Sequence, residues 1–153
     1  MADDAALVAA TPSHPSPHRS RVGVPLLLFG VFGGVAFYAA QLYLNYGLAS
    51  FSCYPRGAPV TRLVPGWGWV WDGMLAISLA AFCVSVGAAY VGFHCWDSTR
   101  GEHEGGHMAL LERGEGRTRF LGYVGLVFGA LYATAIVFDL IALAIVPQCT
   151  GIG

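Results

Sequence analysis

The run His103, Glu104, Gly105, Gly106, His107 places two imidazoles four residues apart around a carboxylate. On a helix that spacing turns both rings to one side, where they can hold zinc while the glutamate serves as general base for hydrolysis. Here the helix itself is disfavoured. Both intervening positions are glycine and Gly101 precedes them, and each glycine costs about 1 kcal/mol in a helix interior. A third ligand would have to come from His94, Asp97 or Glu112. The segment reads as a solvated connector, with a membrane zinc hydrolase built on His103, Glu104 and His107 as the alternative.

His94 ends an apolar stretch, where a haem ligand could sit, yet no second histidine lies within the apolar spans to complete a bis-histidine pair. The chain also lacks a Cys-x-x-Cys-His attachment site, a P-loop and a Gly-x-Gly-x-x-Gly turn. No catalytic residue and no cofactor are therefore expected in this chain.

Asp139 is the acid that demands an explanation. It stands seven residues before Val146, inside the third of three apolar spans, and a carboxylate at that depth costs several kcal/mol unless it is paired, protonated or hydrated. Gln41 lies seven residues from the end of the first span, and Asn45 one turn further out. The expectation is an intramembrane polar cluster of Gln41, Asn45 and Asp139, joined by Arg56 or Arg62 from the adjoining loop. A proton or ion path is the functional alternative, but the spans offer no acidic or histidine relay to extend it.

The elements that must position these groups are the spans themselves, at 24–48, 71–93 and 120–146. Each is long enough, at 1.5 Å per residue, to cross a hydrocarbon layer of roughly 30 Å. With 56% hydrophobic and 11% charged residues and a net charge of -1, the chain fits neither a soluble core nor a nucleic-acid binder. The fold class is an all-α membrane protein with three transmembrane helices over residues 22–150. Residues 1–21 read as a disordered cytoplasmic tail.

All eight basic residues are arginine and lie outside the spans. Arg19, Arg21, Arg100, Arg113, Arg117 and Arg119 occupy one side, Arg56 and Arg62 the other. The positive-inside rule then puts the N-terminus in the cytoplasm and the C-terminus in the periplasm of a bacterial inner membrane. Cys53 follows the first span and Cys149 the third, both on the outer, oxidising side, so a Cys53–Cys149 disulfide is the natural proposal, against two unpaired thiols. Cys83 and Cys95 read as reduced packing residues.

Small residues mark the faces on which helices meet in lipid. The first span aligns Gly30, Gly34, Gln41 and Asn45; the second Ser78, Ala81, Ser85, Ala88 and Gly92; the third Gly125, Phe128, Tyr132, Ala135 and Asp139, with Gly129 completing a Gly-x-x-x-Gly pair. The simplest reading is that these stripes hold the three helices together. Trp67, Trp69 and Trp71 with Tyr43, Tyr46, Phe51 and Tyr54 fit an outer aromatic belt.

Three segments, LASFSCYP after the first span, LLERGEGRTRF before the third and IVPQC at the end, together resemble a family of small three-span proteins encoded beside haem-copper cytochrome c oxidase subunits in proteobacteria. The resemblance covers about residues 22 to 150. It implies a non-catalytic accessory subunit of a respiratory terminal oxidase, or an assembly factor for one. Haem and copper would be carried by larger integral membrane partner subunits of the electron-transport complex. The Phe-Leu-His-Met segment of the small tail subunit of quinol oxidases is not present.

Overall fold

A computed structural model describes residues 23–58, 60, 65–99, 117–146 and 149. Three helices make up nearly all of it: α1 (Val24–Cys53), α2 (Val70–Ser98) and α3 (Arg117–Ile145), with a short 3₁₀ turn (Pro55–Gly57) after α1. Among the described residues there is no strand. All three helices are long and apolar enough to cross a membrane.

Each helix departs from the limits of its apolar span. α1 continues past Leu48 to Cys53, and α2 past Phe93 to Ser98. The physical reason is that intrahelical hydrogen bonding does not stop where hydrophobicity does. α1 ends where Pro55 disfavours helical geometry in the residue before it, and the Tyr54 amide closes the last turn on the Ser50 carbonyl at 2.9 Å. α2 ends at Ser98 and is capped by Thr99, whose hydroxyl donates back to the Cys95 carbonyl at 2.9 Å. α3 begins earlier than the third apolar span, at Arg117, and ends at Ile145. The tail at 1–21 and the connector holding His103, Glu104 and His107 lie outside the described residues.

The distribution of side chains is the reverse of a soluble protein's. Most buried positions hold small or polar residues, Gly30, Gly33 and Gly34 with Gln41 on α1 and Ser78, Ala81, Ser85, Ala88 and Gly92 on α2, with Val31, Val70, Met74 and Ile136 among the larger ones. Phe32, Leu44, Leu131 and Phe138 are more than half exposed. Even the outward-facing Thr134 satisfies its hydroxyl internally, donating to the Ala130 carbonyl at 2.9 Å. That is what a helix surrounded by hydrocarbon requires, because nothing outside can accept the bond.

The helices meet through backbone. A Cβ at Gly92 would collide with the Leu126 amide nitrogen and stand 2.7 Å from the Gly125 carbonyl carbon. One at Gly125 would stand 2.9 Å from the carbonyl of Gly30, and one at Gly30 would lie 3.5 Å from the Gly92 nitrogen. Gly30, Gly92 and Gly125 thus form a three-way crossing. Gly129, backed against Ala89, and Gly122, backed against Trp96, extend it along α2 and α3.

The stripe drawn for α3 needs correction on one side. Its buried face runs Gly122, Gly125, Gly129, Ala133, Ile136, whereas Phe128 is exposed. The α2 stripe, and Gly30, Gly34 and Gln41 of the α1 stripe, are buried inside the bundle.

Gly92→Ala is expected to lower unfolding stability by about 1–3 kcal/mol, because the added methyl meets backbone that cannot rotate away. Gly87→Ala, where nothing lies within 4 Å, should be neutral or gain up to about 1 kcal/mol from helix propensity. Denaturation in mixed micelles followed by circular dichroism reads both; equal losses would exclude the crossing as the packing centre.

Candidate functional site: a cavity under the disulfide

The carboxyl-terminal half of α1 carries Gln41, Asn45 and Ser52 at four- and seven-residue steps, which brings them to one side of the helix. α3 brings Asp139 to the same place. Gln41 is almost wholly buried, and its Nε2 donates to Asp139 Oδ2 at 3.3 Å. Asn45 takes a different partner from the one expected. Its Nδ2 donates to Ser78 Oγ of α2 at 2.9 Å, and that hydroxyl donates onward to the Met74 carbonyl at 2.9 Å.

These bonds determine the orientation of both amides. The Ser78 proton is committed to Met74, so its oxygen can only accept, and Asn45 must present nitrogen to it. Gln41 likewise presents nitrogen to a carboxylate oxygen. The other end of each amide is left over: Gln41 Oε1 and Asn45 Oδ1 are buried without a hydrogen-bond partner. An unpaired buried polar atom costs about 1–3 kcal/mol. Ser85 Oγ is a third such atom, deep in the bundle.

A cavity of about 480 Å³ lies between α1 and α3. Gln41, Asn45 and Asp139 line it, Met74 contributes from α2, and Leu143 and Val146 supply much of the apolar wall. The Cys53–Cys149 disulfide bounds its far end, with Cα atoms 5.1 Å apart and 96 residues between them in sequence. At the opposite end Tyr38 and Tyr132 pack ring to ring across α1 and α3, centroids 5.2 Å apart. A second hollow of about 450 Å³ shares Leu42 and Tyr46 with the first and runs on to Tyr38 and Tyr132.

The expected site residues therefore separate into groups. Gln41 and Asp139 touch; Asn45 shares their cavity but bonds to Ser78, a residue expected only to pack. Gly30, Gly34, Gly125, Gly129, Ser78 and Ser85 are buried between helices. The Arg56 side chain and Arg62 lie outside what is described. The described residues contain no group of three potential metal ligands. Sequence reading missed the Asn45–Ser78 bond, although a signal existed: Asn45 lies eight residues before the end of α1 and Ser78 eight residues after the start of α2, so antiparallel neighbours bring them level.

Comparison with protein-family models, with curated proteins and with solved structures finds no match. The chemistry must be argued from the site. A largely apolar hollow with a few polar side chains in its lining is the usual form of a small-molecule site.

Two outcomes are expected from substitutions here. Cys53→Ser should lose about 2–4 kcal/mol, since the bridge closes a long loop; the double variant Cys53→Ser/Cys149→Ser should lose no more than either single one, read from unfolding midpoints with and without reductant. Gln41→Leu deprives Asp139 of its donor and should cost about 1–3 kcal/mol, whereas Gln41→Glu should be worse because it sets two carboxyl groups together.

Proposed function

We propose that this chain is a multi-pass protein of a bacterial inner membrane, with its N-terminus in the cytoplasm and C-terminus in the periplasm. In this reading it serves as a non-catalytic accessory subunit of a haem-copper terminal oxidase. The observation that carries the proposal is the inverted packing: a core rich in glycine, alanine and serine surrounded by exposed Phe32, Leu44, Leu131 and Phe138. A bundle that keeps its bulky side chains outside presents them to lipid, as a membrane-embedded component does. The arginine count supports the orientation, six on the inner side against two on the outer. The disulfide joins the two segments that this topology assigns to an oxidising compartment.

The oxidase assignment itself rests on the likeness of the LASFSCYP, LLERGEGRTRF and IVPQC segments to the small proteins encoded beside oxidase genes. Haem and copper belong to the partner subunits in this reading, and this chain contributes surface and rigidity. Gly30, Gly92, Gly125 and Gly129 are already used between α1, α2 and α3, so docking on a larger subunit would use other parts of the exterior.

Solubilising native membranes in mild detergent and recovering the chain through an N-terminal tag should yield a haem-containing oxidase in stoichiometric amount, visible in the reduced-minus-oxidised spectrum. Recovery of the chain without haem subunits would refute the stable-subunit reading. Recovery only from cells still assembling the oxidase would assign it to assembly instead.

A further inference from the structure

Asp139 is an acid without a counter-ion. Among the described residues no arginine, lysine or histidine lines its cavity, and its carboxyl group receives one hydrogen bond, from Gln41 Nε2 at 3.3 Å. A carboxylate inside an apolar segment is stable when it is paired with a cation or accepts several N–H bonds. The described groups around it are neutral. α1 presents Tyr46, and Tyr38 in the adjoining hollow; α2 presents Met74; α3 presents Tyr132. Tyrosine carries no charge at neutral pH, and the two cysteines at the end of the cavity are joined as a disulfide. Asp72, at the start of α2, is exposed and lines neither hollow.

Gln41 Oε1 and Asn45 Oδ1 are shut off from the cavity as well as from solvent, so only groups of the protein itself can satisfy them. A proton on Asp139 supplies the missing donor. Once protonated, the carboxyl group can give a hydrogen bond, and Gln41 can turn its amide end over end to accept it. The two ends of a primary amide have nearly the same shape, so the exchange needs no added space. Its nitrogen then takes the enclosed place that the oxygen held, one turn from the unpaired oxygen of Asn45 on the same face of α1.

We propose that Asp139 is a proton-binding site, occupied at neutral pH, whose proton orders one continuous chain of hydrogen bonds across the bundle. The chain runs from Asp139 O–H to Gln41 Oε1, from Gln41 Nε2 to Asn45 Oδ1, from Asn45 Nδ2 to Ser78 Oγ and from Ser78 O–H to the Met74 carbonyl. Its last two links are already in place. With Nε2 facing Asp139 the site is in its proton-free form, in which the chain is cut at Gln41 and both amide oxygens are stranded. Proton uptake at α3 thus joins all three helices in one network, where its loss leaves two separate bonds. The proposal uses the reading that α3 crosses a bilayer and not the oxidase assignment.

The test is infrared spectroscopy of the full chain in phosphatidylcholine nanodiscs, with aspartate isotope-labelled at the side-chain carboxyl carbon and the spectrum of Asp139→Asn subtracted. At neutral pH the difference should show the C=O stretch of a protonated carboxylic acid, giving way to carboxylate bands in alkali. Asn45→Leu then separates the chain from an acid kept neutral by apolar surroundings alone. The Asn45 oxygen serves only the protonated form, so its removal should lower the midpoint of the band's loss by about half a pH unit to one unit. Greater apolarity by itself would raise that midpoint. Retention of the Cys53–Cys149 bridge and of the helical circular dichroism reports that each variant has folded.

Carboxylate bands alone at neutral pH, from a chain that co-elutes with the nanodiscs, would overturn the proposal and leave the bilayer reading standing. A midpoint unchanged or raised in Asn45→Leu would also overturn it. A chain that does not co-elute with nanodiscs would refute the bilayer reading and the proposal with it. Oxidase recovery plays no part in any of these outcomes, so that assignment fails or holds separately.

Discussion

The backbone contact among Gly30, Gly92 and Gly125 is the constraint from which the rest of the bundle follows. Within lipid, apolar side chains gain nothing by turning inward, because hydrocarbon outside solvates them as well as hydrocarbon inside. Association must come from close approach, which brings many weak atomic attractions into range at once. Glycine permits that approach on all three helices at one level, and the neighbouring Gly122–Trp96 and Gly129–Ala89 contacts carry it along the α2–α3 seam. Large residues are left for the exterior, where Phe32, Leu131 and Phe138 stand exposed.

The crossing also explains why the polar groups lie where they do. Tight packing leaves no room for a side chain as long as glutamine, so Gln41, Asn45 and Asp139 occur only beyond it, towards the disulfide. There the hydrogen bonds run between helices: Gln41 joins α1 to α3, and Asn45 joins α1 to α2 through Ser78. Each bond fixes an amide and strands its oxygen. The arrangement is stable as a tie between helices and incomplete as a hydrogen-bond inventory, and both properties come from the same two residues.

Much of this was legible beforehand, for reasons that differ from residue to residue. The α2 stripe Ser78, Ala81, Ser85, Ala88, Gly92 is buried along its length, because α2 packs against both α1 and α3. The α3 stripe drifted at Phe128 because the reading followed Asp139 back along its own face, whereas the helix is held by Gly122, Gly129 and Ala133 on an adjacent one. The pairing of Gln41 with Asp139 followed from equal depth and the cost of an unpaired acid. The cavity could not be read in this way, since an empty volume depends on how far helices stand apart and no residue type encodes that distance. Cys53 and Cys149 could be paired by topology, but the chain's return after α3 to meet the end of α1 is a property of the fold.

The persistence of the cavity follows from what surrounds it. At one end α1 and α3 are held by Gly30 against Gly125, Gly34 against Gly129 and the Tyr38–Tyr132 ring contact; at the other, α1 is tied covalently to the segment after α3. Two fixed ends oppose closure by a simple tilt of one helix. Closure by side-chain movement meets a second obstacle. Swinging Gln41 or Asn45 further into the space would break its bond to Asp139 or Ser78, or bring a free amide oxygen towards a carboxylate that repels it. A purely apolar hollow between two helices in lipid would fill with an acyl chain at little cost. This one also has the carboxyl group of Asp139 in its lining, which an acyl chain cannot satisfy.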